Sequence, residues 1–176
     1  QVARNILASL GKTAPQHEYF FTVPPGLGFE ELCAAFPRQT TLVYRTMGLL
    51  RRWRWESNGL VRTMRAFRPD VVFNLGNRGF VEPRAPQATF VHDAHLFYPS
   101  REFGRPSARE RLVFFYHRSH LRRSLRSTQV VFCQTEVARQ RLTKTYGLPL
   151  LPEVIPNRLS RDWWDGRADE AKPARL

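Results

Sequence analysis

His92 and Asp93 close the segment Ala88-Thr89-Phe90-Val91-His92-Asp93, so an imidazole and a carboxylate stand side by side where an apolar strand passes into a loop. That pairing suits transfer chemistry that needs an oriented imidazole, because the ring titrates near neutrality and a neighbouring carboxylate can hold it. The crevice outside the carboxyl ends of parallel strands is also the usual ligand site of an open α/β sheet. The same two residues fit a plainer description as well, a histidine bonded locally and an aspartate capping a turn.

Metal chemistry finds less support. His92-Asp93-Ala94-His95 would bind a metal only with help from distant residues. His117 and His120 lie three apart and share a helix face, but Glu110 is seven residues from His117 and nothing nearby completes a ligand set. No metal or cofactor is therefore expected. Two glycine motifs also fail. Gly11-Lys12-Thr13 resembles the end of a phosphate-binding loop, yet the earlier glycine falls at Ile6 and the tripeptide ends a helix instead of preceding one. Gly26-Leu27-Gly28 follows a strand, but Glu31 occupies the third glycine position of a dinucleotide fingerprint.

The chain carries a formal charge of +13 over 176 residues, and 25 of its 28 basic residues are arginine. Such a balance favours an anionic partner: nucleic acid, lipid headgroups or a phosphorylated substrate. Arg111, Arg118, Arg122 and Arg126 fall near one side of a long helix. They read either as a solvated face or as a surface for headgroups or phosphate. Arg51-Arg52-Trp53-Arg54-Trp55 alternates guanidinium and indole groups, a pattern for stacked bases or for a membrane interface. No nucleic-acid module accompanies it, which disfavours nucleic acid. Cys33 and Cys133 are isolated in apolar stretches and read as buried thiols, in keeping with a reducing, cytoplasmic setting.

The elements that must position these groups alternate. Helical spacing of Val2, Ile6, Leu7 and Leu10 opens the chain, with Gly11-Lys12 as the expected stop. Strands are expected at 17–23, 41–44, 70–75, 88–92 and 129–134, with a last short one at 153–156. Helices are expected at 29–36, from Leu60 to a stop at Pro69, at 107–126, and from an N-cap at Thr135 to Gly147. Short apolar strands separated by helices predict an α/β domain, with the first five strands parallel in one sheet covered on both faces.

Three segments together resemble the N-terminal half of a GT-B glycosyltransferase of the large nucleotide-sugar-dependent family (group 1, family 4-like) that includes bacterial cell-envelope enzymes. Val2 to Leu10 resembles its first helix. Arg68-Pro69-Asp70-Val71-Val72-Phe73 and Thr89-Phe90-Val91-His92-Asp93 resemble its PDVV and HD strands. Val130 to Glu136, Tyr146-Gly147 and Val154-Ile155-Pro156-Asn157 resemble its last strand, helix and VIPN segment. Thr135 replaces a common serine, and Arg158 replaces a common glycine.

The resemblance implies a Rossmann-like acceptor-side domain over 1–159 that lacks its first strand, a linker or tail over 160–176, and a donor-binding domain absent from this sequence. It places His92 near the donor sugar and acceptor hydroxyl, with Asp93 orienting that region. Asn74, Asn77, His95, Thr135 and Glu136 would line the acceptor side. The implied partners are a nucleotide-sugar donor, held mainly by the absent domain, and a sugar, lipid-linked or other hydroxyl acceptor. Apart from the resemblance, the cysteines lead to an expected location in the cytoplasm, and the arginines to peripheral attachment at the inner membrane face. The alternatives are a non-catalytic basic domain that binds anionic lipid or polyanion, and a nucleotide-sugar epimerase of the same architecture.

Overall fold

Each boundary in the chain has a local cause, and together they fix where strands release their ends. The computed structural model describes residues 2–44, 55–149 and 151–156. Arg51 to Arg54, Asn157, Arg158 and the 160–176 segment lie outside them. Helix α1 (Val2–Thr13) buries Leu7. It continues through Gly11 and Lys12, against the expected stop. A Cβ on Gly11 would stand 3.3 Å from the Phe36 ring, so the missing side chain serves a close helix-to-ring contact instead of a terminus.

Strand β1 (Tyr19–Val23), helix α2 (Phe29–Ala34) and strand β2 (Gln39–Val43) follow. Trp55–Gly59 forms a wide turn into helix α3 (Leu60–Phe67), which ends on Arg68 in the left-handed region at φ 53°. Pro69 comes next and cannot continue a helix. Strands β3 (Val72–Asn74) and β4 (Gln87–Phe90) lead to two 3-10 turns, Ala94–Leu96 and Ser100–Phe103. Helix α4 (Ala108–Leu125) begins on a reciprocal cap: Ser107 accepts from the Glu110 backbone N–H, and the Glu110 carboxylate accepts from the Ser107 N–H at 2.8 Å. Strand β5 (Val130–Cys133) passes directly into helix α5 (Glu136–Tyr146), where Thr135 Oγ1 accepts from Ala138 N at 3.1 Å. Gly147, at φ 62°, supplies the left-handed exit, and β6 (Glu153–Val154) closes the series.

Every strand pairing is parallel, as the alternation requires, but the strands divide into two sheets. One has the order β1-β2 and the other β3-β4-β5-β6. The expectation of five strands in a single sheet is therefore corrected. A helical crossover returns the chain to start again in the same direction, but β3 and β4 are parallel with only the loop over 75–86 between them, and alternation leaves neighbour choice open. No ladder joins β1 to β3 among the described residues. Side chains still connect the two halves: Leu75, just past β3, packs on the cluster of Leu7, Val23, Cys33 and Phe36, and Phe20 meets Phe67 with ring centroids 5.3 Å apart.

The larger core gathers Val91, Leu96, Phe97, Leu121, Leu125, Cys133, Ala138 and Leu142 from the exit of β4, the turn after it, α4, β5 and α5. Leu121 and Leu142 are fully buried, and truncating such a side chain to alanine typically costs about 2–5 kcal/mol. Both free cysteines are buried, and burial pushes their thiols up from the ordinary range.

The Thr135 cap makes a testable statement about what that hydroxyl does for the fold. Thr135→Ala should lower unfolding stability by about 1 kcal/mol, and Thr135→Ser should restore most of it, because only the oxygen is needed. Denaturant titration of both variants checks this, and an equal loss in each would show that the methyl group carries the effect.

Candidate functional site

Strand register builds the site before any side chain is considered. Asn74 of β3 lies opposite Thr89 of β4, and both strands run the same way. Three residues further on, the first strand has reached Asn77 and the second His92, so the two exits release their chemistry abreast. On the other side of β4, Phe90 lies opposite Phe132, which brings the Gln134-Thr135-Glu136 exit of β5 to the same sheet edge.

Asn77 holds the joint between them. It adopts φ 67°, a left-handed conformation that asparagine tolerates better than most residues. Its side-chain Oδ1 accepts from two successive backbone N–H groups, His92 at 2.7 Å and Asp93 at 2.8 Å. Its Nδ2 lies 3.4 Å from His92 Nε2. Asp93 then caps the Ala94–Leu96 turn, its Oδ1 accepting from His95 N at 3.0 Å. The plain description of Asp93 as a turn cap is thus realised, at a place where the chain also offers a site.

Beneath Asn77, a buried amide fastens the loop that carries it. Gln87 is 1% exposed. Its Oε1 accepts from Phe80 N at 3.0 Å and Asn74 Nδ2 at 3.1 Å, and its Nε2 donates to Phe80 O at 2.8 Å and Ser127 O at 3.1 Å. Gly79 fits here because it lacks a side chain: an added Cβ would stand 2.7 Å from Gln87 Oε1 and 2.9 Å from Thr89 Oγ1. Gln87 and Gly79 do not stand out in the sequence. A lone glutamine before an apolar run signals nothing until its partners, up to 40 residues away, are in place.

The turn after His92 is held from the other side. Arg118 of α4 donates through Nε and a terminal nitrogen to His95 O at 2.9 and 2.7 Å, and again to Tyr98 O at 2.5 Å. Tyr146 Oη donates to Leu96 O at 2.5 Å. Burial pushes that phenol up to about 12, against the opposing pull of Arg118 and Arg122, so it remains a donor at any ordinary pH.

His92 itself is half-buried beside the Phe90 ring, with centroids 5.7 Å apart. Burial lowers its pKa from the ordinary 6.5, outweighing the Asp93 carboxylate, which acts to raise it. The ring is therefore neutral near pH 7. Its Nδ1 is buried without a hydrogen-bond partner among the described residues, a situation that typically costs about 1–3 kcal/mol when the atom is a donor.

The other expected residues separate by role. His95 is wedged between Phe103 and Phe114, with centroids 4.0 and 5.0 Å away, so its ring packs within the turn. Asn74 directs its amide nitrogen to Gln87 and to Ala88 O at 3.2 Å. Thr135 caps α5, and Glu136 pairs with Arg139 at 2.7 Å on the surface. The four arginines do not form one free stripe. Arg111, Arg122 and Arg126 are exposed, although Arg122 also donates to Thr145 O at 3.3 Å, whereas Arg118 is turned inward. No group of three His, Cys, Asp or Glu side chains is placed to hold a metal among the described residues.

A parallel α/β domain with its polar residues collected at the carboxyl ends of adjacent strands is the class that fold and site define. Within that class, residues 3–160 match the family described as Glycosyltransferase Family 4, and the chain belongs to it. No curated protein matches the chain, and no solved structure matches it either.

The lowered His92 pKa links the site to stability with a definite sign. A histidine that protonates less readily when folded contributes its full share above the unfolded value near 6.5 and loses it as pH falls through the lowered folded value. Stability should therefore decline as pH falls below the ordinary histidine value of 6.5, and His92→Gln should make that decline shallower. Urea midpoints measured across the range provide the check. Parallel curves for the two proteins would remove His92 from the account.

Proposed function

We propose that this domain forms the acceptor-side wall of an enzyme that transfers a sugar from a nucleotide-sugar donor to an acceptor hydroxyl, with the donor held mainly by a second domain. Membership of a glycosyltransferase family supports the class of reaction. The observation that carries the assignment of the site is the joint of Asn77, His92 and Asp93 at the exits of two adjacent parallel strands. Transfer develops positive charge at the sugar carbon and negative charge on the departing phosphate, so placement and electrostatic support dominate the chemistry. A neutral His92, fixed at its backbone, suits contact with uncharged sugar hydroxyls. Thr135 and Glu136 border the acceptor on the same sheet edge, and Asp93 supports the turn that shapes it.

In the full-length protein, His92→Ala should lower turnover by roughly one to three orders of magnitude with the fold intact, and His117→Ala should do much less. Sugar transfer to a verified acceptor, with circular dichroism alongside, measures both. Near-normal turnover by a folded His92→Ala variant would contradict the placement of chemistry at this residue.

A second reading, peripheral attachment to an anionic membrane, draws on helix α4. Leu112 and Phe115 are 64% and 70% exposed, three residues apart. Arg111 and Arg122 stand four and seven residues from Phe115, spacings that return to one helix face. Apolar side chains rimmed by arginine suit the interface of an anionic bilayer. No helix among the described residues is long and apolar enough to cross a membrane, so attachment of this domain would be by surface contact. Flotation with anionic vesicles should be reduced several-fold by Leu112→Ser with Phe115→Ser, at about 1 kcal/mol for each arginine retained near the surface. Equal flotation with neutral vesicles would remove the electrostatic part.

A further inference from the structure

We infer that Asn77 is a positioning residue that fixes the proton of His92 on Nδ1 and covers the Nε2 lone pair, which holds His92 neutral and denies it the role of a general base. The argument starts from the asparagine amide, whose two ends are chemically distinct. Two backbone N–H groups, from His92 at 2.7 Å and Asp93 at 2.8 Å, converge on one end, and only the carbonyl oxygen can accept them. That assignment leaves the amide NH2 facing His92 Nε2 at 3.4 Å. An NH2 group only donates, so Nε2 must present its lone pair. A neutral ring then carries its single proton on Nδ1.

The consequence runs to function. Nε2, the lone pair that could take a proton, is covered by Asn77. Nδ1 carries the hydrogen, and no acceptor for it exists among the described residues. Because Nδ1 is buried within the fold and Nε2 is covered, the ring presents no free lone pair at the strand exit, which removes general-base chemistry at His92 from the proposed transfer; this part of the inference rests on that reading. Protonating Nε2 would place two donors face to face, so the same contact opposes the imidazolium form. The Asp93 carboxylate, the charged group nearest along the chain, is engaged with His95 N as a cap.

The test exploits an almost isosteric exchange. Asn77→Asp keeps an oxygen for the two backbone N–H groups and tolerates the left-handed backbone, but it replaces the donor facing Nε2 with an acceptor. Ring-nitrogen NMR on the full-length protein, labelled with nitrogen-15 in histidine and assigned through His92→Gln, reads which nitrogen is protonated. The wild-type protein should show the proton on Nδ1 of His92, and Asn77→Asp should move it to Nε2 while the other four histidines keep their shifts. Asn77→Gly, which keeps the backbone conformation and removes the amide, should give a mixture of the two forms, and it serves if the aspartate variant does not fold. A wild-type proton on Nε2, or an Asn77→Asp or Asn77→Gly protein whose His92 is unchanged, overturns the inference. Turnover measured on the same samples separates the two claims. A switched proton with undiminished turnover upholds the tautomer and counts against the role of His92 in transfer, whereas a switched proton with a tenfold or greater loss supports both.

Discussion

A single buried carboxamide, that of Gln87, ties the loop after β3 and the turn after α4 to the sheet. It is the first residue of β4, yet it bonds the backbone at Phe80, the side chain of Asn74 on β3 and the carbonyl of Ser127 beyond α4. The Gln87 amide is itself 1% exposed, so a missing partner would leave its desolvation uncompensated. The loop between β3 and β4 is therefore held down at Phe80, against a glycine that leaves room for the amide. Asn77 lies within that loop. Its grip on His92 and Asp93 is only as firm as the anchoring a few residues away.

The arginines show the same economy on the other side of the site. A net charge of +13 invites a reading in terms of anionic partners alone. Arg118, however, sends its guanidinium into the turn after Asp93, where two carbonyls have no strand or helix to satisfy them. Arg141 lies 3.9 Å over the Tyr98 ring of that turn and also reaches Glu102 at 2.9 Å. A planar group with five donors and a stackable face suits such a place better than lysine does. Part of the positive charge thus maintains the architecture around His92, and Arg111 and Arg126 are among the residues that remain available to the surface.

How much of this can be read from the sequence follows from the range of the interactions involved. Local signals carried through: the Thr135 cap, the helix end at Gly147, the break at Pro69 and the strand character of Val72-Phe73 each depend on a few neighbouring residues. Strand direction also followed, since helical crossovers return the chain in one sense, although β3 and β4 run parallel with only a loop between them. Strand adjacency did not, because β1 and β3 differ in nothing that composition can report about which edges meet. Gly11 was read as a stop by its type, although its role is set by Phe36, 25 residues later. Arg118 looked like a member of a solvent stripe because helical spacing specifies a direction and says nothing about what lies there. His92 and Asp93 were legible as a pair at a strand exit. The partner that organises them was legible only as a polar residue after a strand, since its role emerges from a register between β3 and β4 that no local pattern encodes.

That register explains why a neutral imidazole can be held so firmly in a domain this basic. Parallel strands release their ends on one edge, where no ladder partner remains for the next backbone N–H groups. At His92 and Asp93 those groups turn to a side-chain oxygen from the adjacent strand exit, and the asparagine that provides it has an NH2 left over for the ring. Backbone satisfaction and ring orientation are then one event. Burial against Phe90 disfavours the cation, while Asp93, the one nearby group that would favour it, already holds the next turn. The edge of the sheet thereby converts a strand ending, an unavoidable feature of any parallel α/β domain, into a fixed polar joint whose hydrogen-bonding sense is decided by the fold.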